Sequence, residues 1–377
     1  MAGAIIAPSD SDGMVQPSGV FDAAGNYVHQ AVLWRVRPLM IAPPLPDVHD
    51  HLSGRWIWGG VLFNHFGHFL IESSGRLWAL DALAGADGIV FLAKHGTTDE
   101  IDLQPYHKAF FDLLGVNLPI RVITRPTRVD LLEVPGQGFG IGRLASGTGA
   151  FRAFMQGRFG QGVVADGADS LYISRSGLGA LRGGILHETR LDGYLAACGY
   201  EIFHPQQHPL QVQVARYKAA RRIIALDGSA LHLVAMVAGP DQQVAIIKRR
   251  ESGATDSIVA HLHSFAGRAP LVLDAIRADW IRSDRKRADR LSFGELDFQA
   301  LGRALSATGM VPAETDWPSL TVEESSAAVR QIERQLKRRK LTFHPIMRGD
   351  APVALLPEKR NLRREARMAQ RQTKAGG

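Results

Sequence analysis

The sequence predicts an α/β protein of two domains, each built on a mostly parallel sheet, with further helices towards the C-terminal end. Three observations predict it. A chain of 377 residues is long for one ordinary core. Its hydrophobic (45%) and charged (21%) fractions are those of a globular protein. Apolar runs of strand length alternate with helical stretches in both halves, which is the pattern of βα units.

Residues 1–19 carry Pro, Ser, Asp and Gly without periodicity and read as a flexible arm. A first domain is expected over 20–168. It opens with VFDAAGNYVHQAVLWRV, a hairpin turning at Ala23–Asn26. APPLPDVHDH then interrupts regular structure. His49, Asp50 and His51 read as a solvated loop rather than a metal site, because the two histidines flanking Asp50 do not converge. The stretch Gly59–Leu80, GGVLFNHFGHFLIESSGRLWAL, reads as a helix in which His65, His68, Glu72 and Arg76 share one face. GIVFLA (88–93) is a buried strand, followed by a helix near 105–114 and extended segments at 120–123 and 128–134. The glycines of GQGFGIGRLASGTG (136–149) do not fit a dinucleotide fingerprint and read as a mobile loop.

Helix and linker over 150–168 lead to a boundary near Asp166–Asp169 and a second domain over 169–320. There SLYISRS, LHETRLDGYLAACG, YEIFHP, LQVQVARYKAA, RRIIALDG, SALHLVAMVAG and QQVAIIKR alternate strand and helix. The series predicts a doubly wound sheet with a ligand crevice at the carboxyl ends of its strands. LVLDAIRADWI reads as a strand pair. Ser292 with Glu295, and Thr321 with Glu324, have the spacing of capping boxes for two more helices. Residues 321–377 form a basic helical tail whose last part reads as a frayed helix.

Net charge is +7, but from Arg330 onwards 14 Lys and Arg stand against 4 Asp and Glu, which leaves −3 for residues 1–329. The basic character therefore belongs to the tail. Contact with an anionic membrane is one role for it; nucleic acid is disfavoured, because Phe343 is the one aromatic there. The single Cys198 excludes an intrachain disulfide and fits a reducing compartment. The start of the chain turns polar within eight residues and no apolar run nears the roughly 18 residues of a spanning helix. A cytoplasmic protein, with peripheral membrane contact as an option, is expected.

Chemistry concentrates at three places. Arg175 follows an apolar strand directly and Arg182 lies seven residues on; two guanidiniums at a strand end suit a diphosphate, with a solvated loop as the alternative. Glu188, near the next helix start, could receive ribose hydroxyls. Asp227, Gly228 and Ser229 stand where the third strand meets its helix, so that backbone N–H groups face a phosphate or sugar, or else the side chains simply cap the helix. His232 reads as a packed histidine. In the first motif, the His-x-x-His…Glu series lacks the spacing of a metalloprotease helix, which leaves acid–base work and a structural hydrogen-bond network.

NHFGHFLIESSGRLWAL, YISRSG, ALRGGILHE and ALDGSALHLVAM, in this order, resemble the glycosyltransferase family 61 proteins, many of them labelled capsular polysaccharide biosynthesis proteins. The resemblance spans roughly residues 55 to 310, and the ordered set is more specific than any one motif. It implies a GT-B architecture of two Rossmann-like domains and inverting sugar transfer from a nucleotide-sugar donor to a glycan acceptor, usually without a metal or other cofactor. Arg175 and Arg182 match the family's arginines facing the donor diphosphate, and Glu188 its acidic residue. Gly67, His68 and Glu72 match the Gly-His…Glu segment of the acceptor-side domain, to which His65 and Arg76 also belong. His187 stands where the family often has Asn, and Asp227 where a His precedes the Gly. The expected base is Glu72 or His68, the other orienting it. The alternative is a non-catalytic nucleotide-binding or scaffold protein of a polysaccharide assembly complex.

Overall fold

A computed structural model describes residues 1–94 and 101–348 and the backbone of 354–355. It is a mixed α/β structure with mostly parallel sheets. The first six-stranded sheet is ordered Gly19–Phe21, Ala2–Ala7, Thr127–Glu133, Asp50–Leu62, Gly88–Ala93, Ile120–Ile123. Its last four strands are parallel, with Asp50–Leu62 central between Thr127–Glu133 and Gly88–Ala93. The second is ordered Glu201–Phe203, Ser170–Ile173, Arg222–Leu226, Gln243–Ile247, Leu271–Asp274, all parallel, with Ala354–Leu355 antiparallel at its edge. Its first strand in the chain, Ser170–Ile173, lies between the second and the third. The connections leave that strand in opposite directions, which opens a crevice beyond the carboxyl ends of Ser170–Ile173 and Arg222–Leu226.

The two sheets share one buried apolar cluster, from Trp58, Phe91 and Phe110 through Phe139 and Phe151 to Val214, Val234 and Ile246. A second cluster covers the other face of the second sheet and includes Leu191, Phe298 and Val329 from helices Glu188–Ala197, Phe298–Ala307 and Val322–Gln335. No described helix is long and apolar enough to cross a membrane.

Several sequence expectations need correction. Residues 1–19 are not an arm: Ala2–Ala7 pairs with both Thr127–Glu133 and Gly19–Phe21. A short run buried on both faces shows no period, so nothing marked it as a strand. Asp22 and Asn26 close the expected turn through a 2.9 Å backbone bond, but its return arm is a single bridge at Tyr27 followed by a 3₁₀ turn at His29–Ala31. Asp50 and His51 open a strand instead of lying in a loop, and His51 Nε2 meets Asp130 at 2.6 Å. LVLDAIRADWI does give two strands, but they do not pair with each other: Leu271–Asp274 belongs to the second sheet and Ile276–Arg282 to a separate sheet with Gly184–Ile185, Phe293–Leu296 and Phe343–Met347. Helix Ala254–Ala266 had no counterpart in the sequence reading. Ser292 and Glu295 do not cap; Asp297 does, accepting from Ala300 N at 2.9 Å. Thr321 and Glu324 do form the expected capping box. The tail returns as a strand over Phe343–Met347, and 349–353 with 356–377 lies outside the described residues.

The largest correction concerns Gly59–Leu80, which is not one helix. Asp50–Leu62 runs through its first residues as a strand, kinked at Gly59–Gly60, where a Cβ on Gly59 would run into the Phe91 ring. One helical turn at Phe66–His68 then widens into a π-turn over Phe69–Ser73 and ends in a 3₁₀ turn at Leu77–Ala79. Ser73 Oγ donates to Val61 O (2.8 Å) and accepts from Phe63 N (3.0 Å), and Ser74 Oγ donates to Leu70 O (2.6 Å). The Ser73 hydroxyl ties the segment to the preceding strand, and that of Ser74 competes with a regular ladder.

Candidate active site

The broken helix splits the four polar residues of the motif. His68 Nδ1 lies 2.7 Å from Glu72 Oε2. Glu72 also accepts from Arg35, at 2.7 Å from Nε to Oε1 and 2.9 Å from NH2 to Oε2. Burial pushes the Glu72 pKa up, but the hydrogen bonds from His68 and Arg35, with their charge, outweigh it and hold the group below the usual carboxylate range. A carboxylate can only accept, so Nδ1 of His68 carries a proton, and in the neutral ring the lone pair is on Nε2. The side chain of His68 is 36% exposed and that of Glu72 0%, so the imidazole alone of the two can touch a substrate.

His65 stands at the rim, its ring centroid 5.0 Å from that of His68. Partial desolvation, then the charges of His68, Arg182 and Arg290, lower its pKa. Arg76 leaves this face altogether. It is buried, donates to Pro135 O and, at 2.9 Å each, to Gln30 O and Val32 O, and burial pushes its pKa down to about 10. The expectation that it lines an acceptor wall is corrected: it pins the chain segments that present Arg35. Replacing Arg76 by Met orphans three carbonyls, at about 1–3 kcal/mol each for those left buried, and is expected to destabilise the fold by at least about 3 kcal/mol in urea titration.

The Gly-rich stretch is anchored, not mobile. Phe139 is buried and stacked on Phe151 with centroids 4.6 Å apart, and Gly138 N donates to Gly75 O at 2.7 Å. Gln137 holds Trp34 by bonds of 2.8 Å and 3.1 Å to its backbone, which sets the turn carrying Arg35.

At the carboxyl edge of the second sheet, Arg175 extends beside Gly228: a Cβ there would lie 3.1 Å from Arg175 NH1. Its NH2 donates to Arg182 O at 3.1 Å, while its buried Nε has no partner among the described residues. Burial first, then the charge of Arg249, pushes its pKa down to about 10. Arg182 is exposed in the 3₁₀ turn Ala180–Arg182 and near enough to His65 to affect its charge. No acceptor among the described residues takes the N–H of Gly228 or Ser229, and Ser229 makes no side-chain cap bond.

Glu188 and Asp227 face inward. Glu188 is buried; its Oε1 accepts from Arg175 N (2.6 Å) and from the Tyr172 hydroxyl (3.1 Å), so it fastens the strand end that carries Arg175. Burial pushes its pKa up to about 7, against those bonds and the Arg175 charge. Between the ordinary value of 4.5 and about 7 the folded chain keeps a proton that the unfolded chain has lost, so this group's contribution to stability falls as pH rises through that window. Glu188→Gln is expected to remove that slope, so that relative to the parent the variant gains up to about 3 kcal/mol between pH 4.5 and pH 8 in paired denaturant titrations. Asp227 is buried too. Its Oδ1 accepts from Arg249 N at 3.2 Å and lies 3.1 Å from Arg249 Nε, and Oδ2 accepts from Thr255 Oγ1 at 3.2 Å. Burial raises its pKa, against the lowering charges of Arg249 and Arg250. Direct contact of Asp227 with a ligand is thereby corrected: it holds Arg249, whose buried NH1 lacks an acceptor among the described residues.

The two edges meet. A Cβ on Gly67 would lie 2.9 Å from the Ser229 Cβ, so the turn after the central strand of the first sheet abuts the turn after the middle strand of the second. Sequence reasoning missed Arg35 and Arg249. Arg249 obeys the rule that singled out Arg175, since it follows the apolar strand Gln243–Ile247 almost directly; Arg35, distant in the chain from its partners, carries no local signal. No group of three or more His, Cys, Asp or Glu among the described residues is placed to hold a metal ion.

No family model matches the chain, and no curated protein matches it. Among solved structures it is similar to the dodecameric iron-containing heptosyltransferase TibC in complex with ADP-D-β-D-heptose, at 12% identity and a TM-score of 0.32 over 89% of this chain and 93% of that one. It is also similar to the dodecameric iron-containing glycosyltransferase TibC from enterotoxigenic E. coli H10407, at 11% identity and a TM-score of 0.30 over 89% and 92%. Likeness at that level assigns neither residues nor an activity to this chain.

Proposed function

We propose that the protein is an inverting glycosyltransferase of the family 61 type, with GT-B-like halves, which moves a sugar from a nucleotide-diphosphate sugar to a glycan acceptor in capsular or surface polysaccharide synthesis. One observation carries the proposal: the meeting of the His65–Glu72 and Asp227–Ser229 turns at Gly67 and Ser229. It sets an accessible imidazole backed by a carboxylate opposite arginines and the Gly228 and Ser229 N–H groups, which no acceptor among the described residues takes.

An acceptor hydroxyl attacks the anomeric carbon while His68 Nε2 takes its proton. The bond from that carbon to the β-phosphate oxygen breaks, and its electron pair leaves with the diphosphate. Glu72 holds the His68 ring and stabilises the imidazolium. Arg175, Arg182 and Arg249, with the N–H groups of Gly228 and Ser229, receive the developing charge. The resemblance to family 61 supports a donor-diphosphate role for Arg175 and Arg182 and an acceptor-side place for His68 and Glu72.

The two departures from the family pattern have local explanations that fit the reading. His187 sits at φ 53°, ψ 47°, a left-handed conformation that Asn and His both tolerate better than most residues. Asp227, in place of a histidine, recruits Arg249 to the edge of the crevice.

The test is an assay for nucleoside diphosphate release from UDP-, GDP-, ADP- and dTDP-linked sugars, with and without glycan acceptors. Release from at least one donor, faster with an acceptor, is expected. Binding without release would favour the non-catalytic scaffold reading instead.

A further inference from the structure

The proposed reaction gives no task to a pair of histidines beside the crevice. His232 lies three residues beyond Ser229 and therefore on the same side of helix Ala230–Val237. Its Nδ1 is 2.8 Å from Nδ1 of His261, a fully buried residue of helix Ala254–Ala266. On its far side His261 Nε2 is 3.4 Å from the carbonyl oxygen of Gly140, and its ring packs on Phe139 with centroids 4.7 Å apart.

Counting protons fixes both rings. A carbonyl oxygen only accepts, so His261 Nε2 carries a hydrogen. Burial keeps His261 neutral, its pKa pushed down to about 4, so its Nδ1 has a lone pair and accepts. The hydrogen of the 2.8 Å bond must then sit on His232 Nδ1. Burial keeps His232 neutral as well, which leaves its Nε2 with an unshared pair. His232 is only partly buried, and its one hydrogen bond among the described residues runs through Nδ1.

We propose that His232 is a fixed hydrogen-bond acceptor for a hydroxyl group of the bound nucleotide sugar, its tautomer set through His261 by the carbonyl of Gly140. This rests on the glycosyltransferase reading and deepens it. A neutral imidazole with no carboxylate behind it is a poor base, so His232 reads a hydroxyl and His68 takes the proton. The Gly136–Gly149 loop thereby acts on the site without touching the ligand. A donor lacking the matching hydroxyl leaves the lone pair unmet, which is how a polar site discriminates strongly.

Two measurements test it. Long-range ¹H–¹⁵N spectra of histidine-labelled protein at pH 7 are expected to show His232 as the Nδ1–H tautomer and His261 as the Nε2–H tautomer, each neutral. A proton on His232 Nε2 would overturn the proposal. In calorimetric titrations with UDP, UDP-glucose, GDP and GDP-mannose, His232→Leu is expected to bind the recognised ligand roughly tenfold more weakly than the parent, and His232→Gln less weakly than His232→Leu. A loss shared by diphosphate and sugar nucleotide identifies a ribose hydroxyl; one confined to the sugar nucleotide identifies a hydroxyl of the transferred sugar. Unchanged affinity of His232→Leu for every ligand that binds the parent would also overturn it. If the parent binds none of them, the functional reading fails for those donors on its own, and the tautomers alone decide the acceptor assignment.

Discussion

His68→Ala is expected to slow sugar transfer by about 10²–10⁴-fold while the affinity for nucleoside diphosphates stays at the parental value. The separation follows from the geometry. His68 stands on the first-sheet side of the crevice, with Nδ1 committed to Glu72 at 2.7 Å and its side chain 36% exposed. On the proposed reading it reaches an acceptor hydroxyl and has no part in holding the diphosphate. The fold should tolerate the change, because Arg35 still satisfies both Glu72 oxygens, at 2.7 Å and 2.9 Å. Steady-state rates beside calorimetric affinities check it. Parental turnover in His68→Ala would remove the residue from the chemistry, and lost affinity would place it on the donor side.

Arg175→Ala is expected to weaken nucleoside diphosphate binding by about 10–150-fold, the loss of a charge-assisted hydrogen bond of roughly 1.5–3 kcal/mol. Two features place Arg175 above Arg182 in effect. Its Nε is buried without a partner among the described residues, an arrangement that an anion would relieve. Its NH2 also braces the Arg182 turn through the 3.1 Å bond to Arg182 O, so removing it disturbs both arginines. Arg182 is exposed, and Arg182→Ala should leave stability unchanged and reduce affinity less. Arg175→Lys should recover only part of the loss, since an ammonium lacks the planar fork. Competition titrations with each variant check the ranking, and equal affinities for all of them would contradict it.

The second half of the chain was legible because its parallel strands are apolar runs of three to five residues separated by amphipathic helices, so local pattern and tertiary structure agree. Arg175 could be found for the same reason: a charge directly after a buried strand must lie at the sheet edge. The first half was less legible. Ala2–Ala7 is too short and too evenly buried to show a period, and the run from Gly59 looked helical because its strand end, π-turn and 3₁₀ turn follow without a breaker. Assuming a regular helix set Arg76 beside Glu72, when its guanidinium is spent on three backbone carbonyls.

Roles were harder to read than positions. The choice between His68 and Glu72 turns on Arg35, which lies 37 residues before Glu72 in a turn shaped by Gln137. No spacing rule connects those three residues. Asp227 was correctly placed at a strand end and Glu188 at a helix start, yet both turn inward, because Arg249 in one case and the Arg175 backbone with Tyr172 in the other compete for their oxygens.

The central claim is that the crevice between the two carboxyl edges holds a nucleoside diphosphate. Calorimetric titration of UDP, GDP, ADP, CDP and dTDP into the purified protein tests it most directly. Saturable one-to-one binding of at least one of them, lost in Arg175→Ala and retained in His68→Ala, is the result predicted. Absence of binding by all five, or binding indifferent to Arg175, would contradict it.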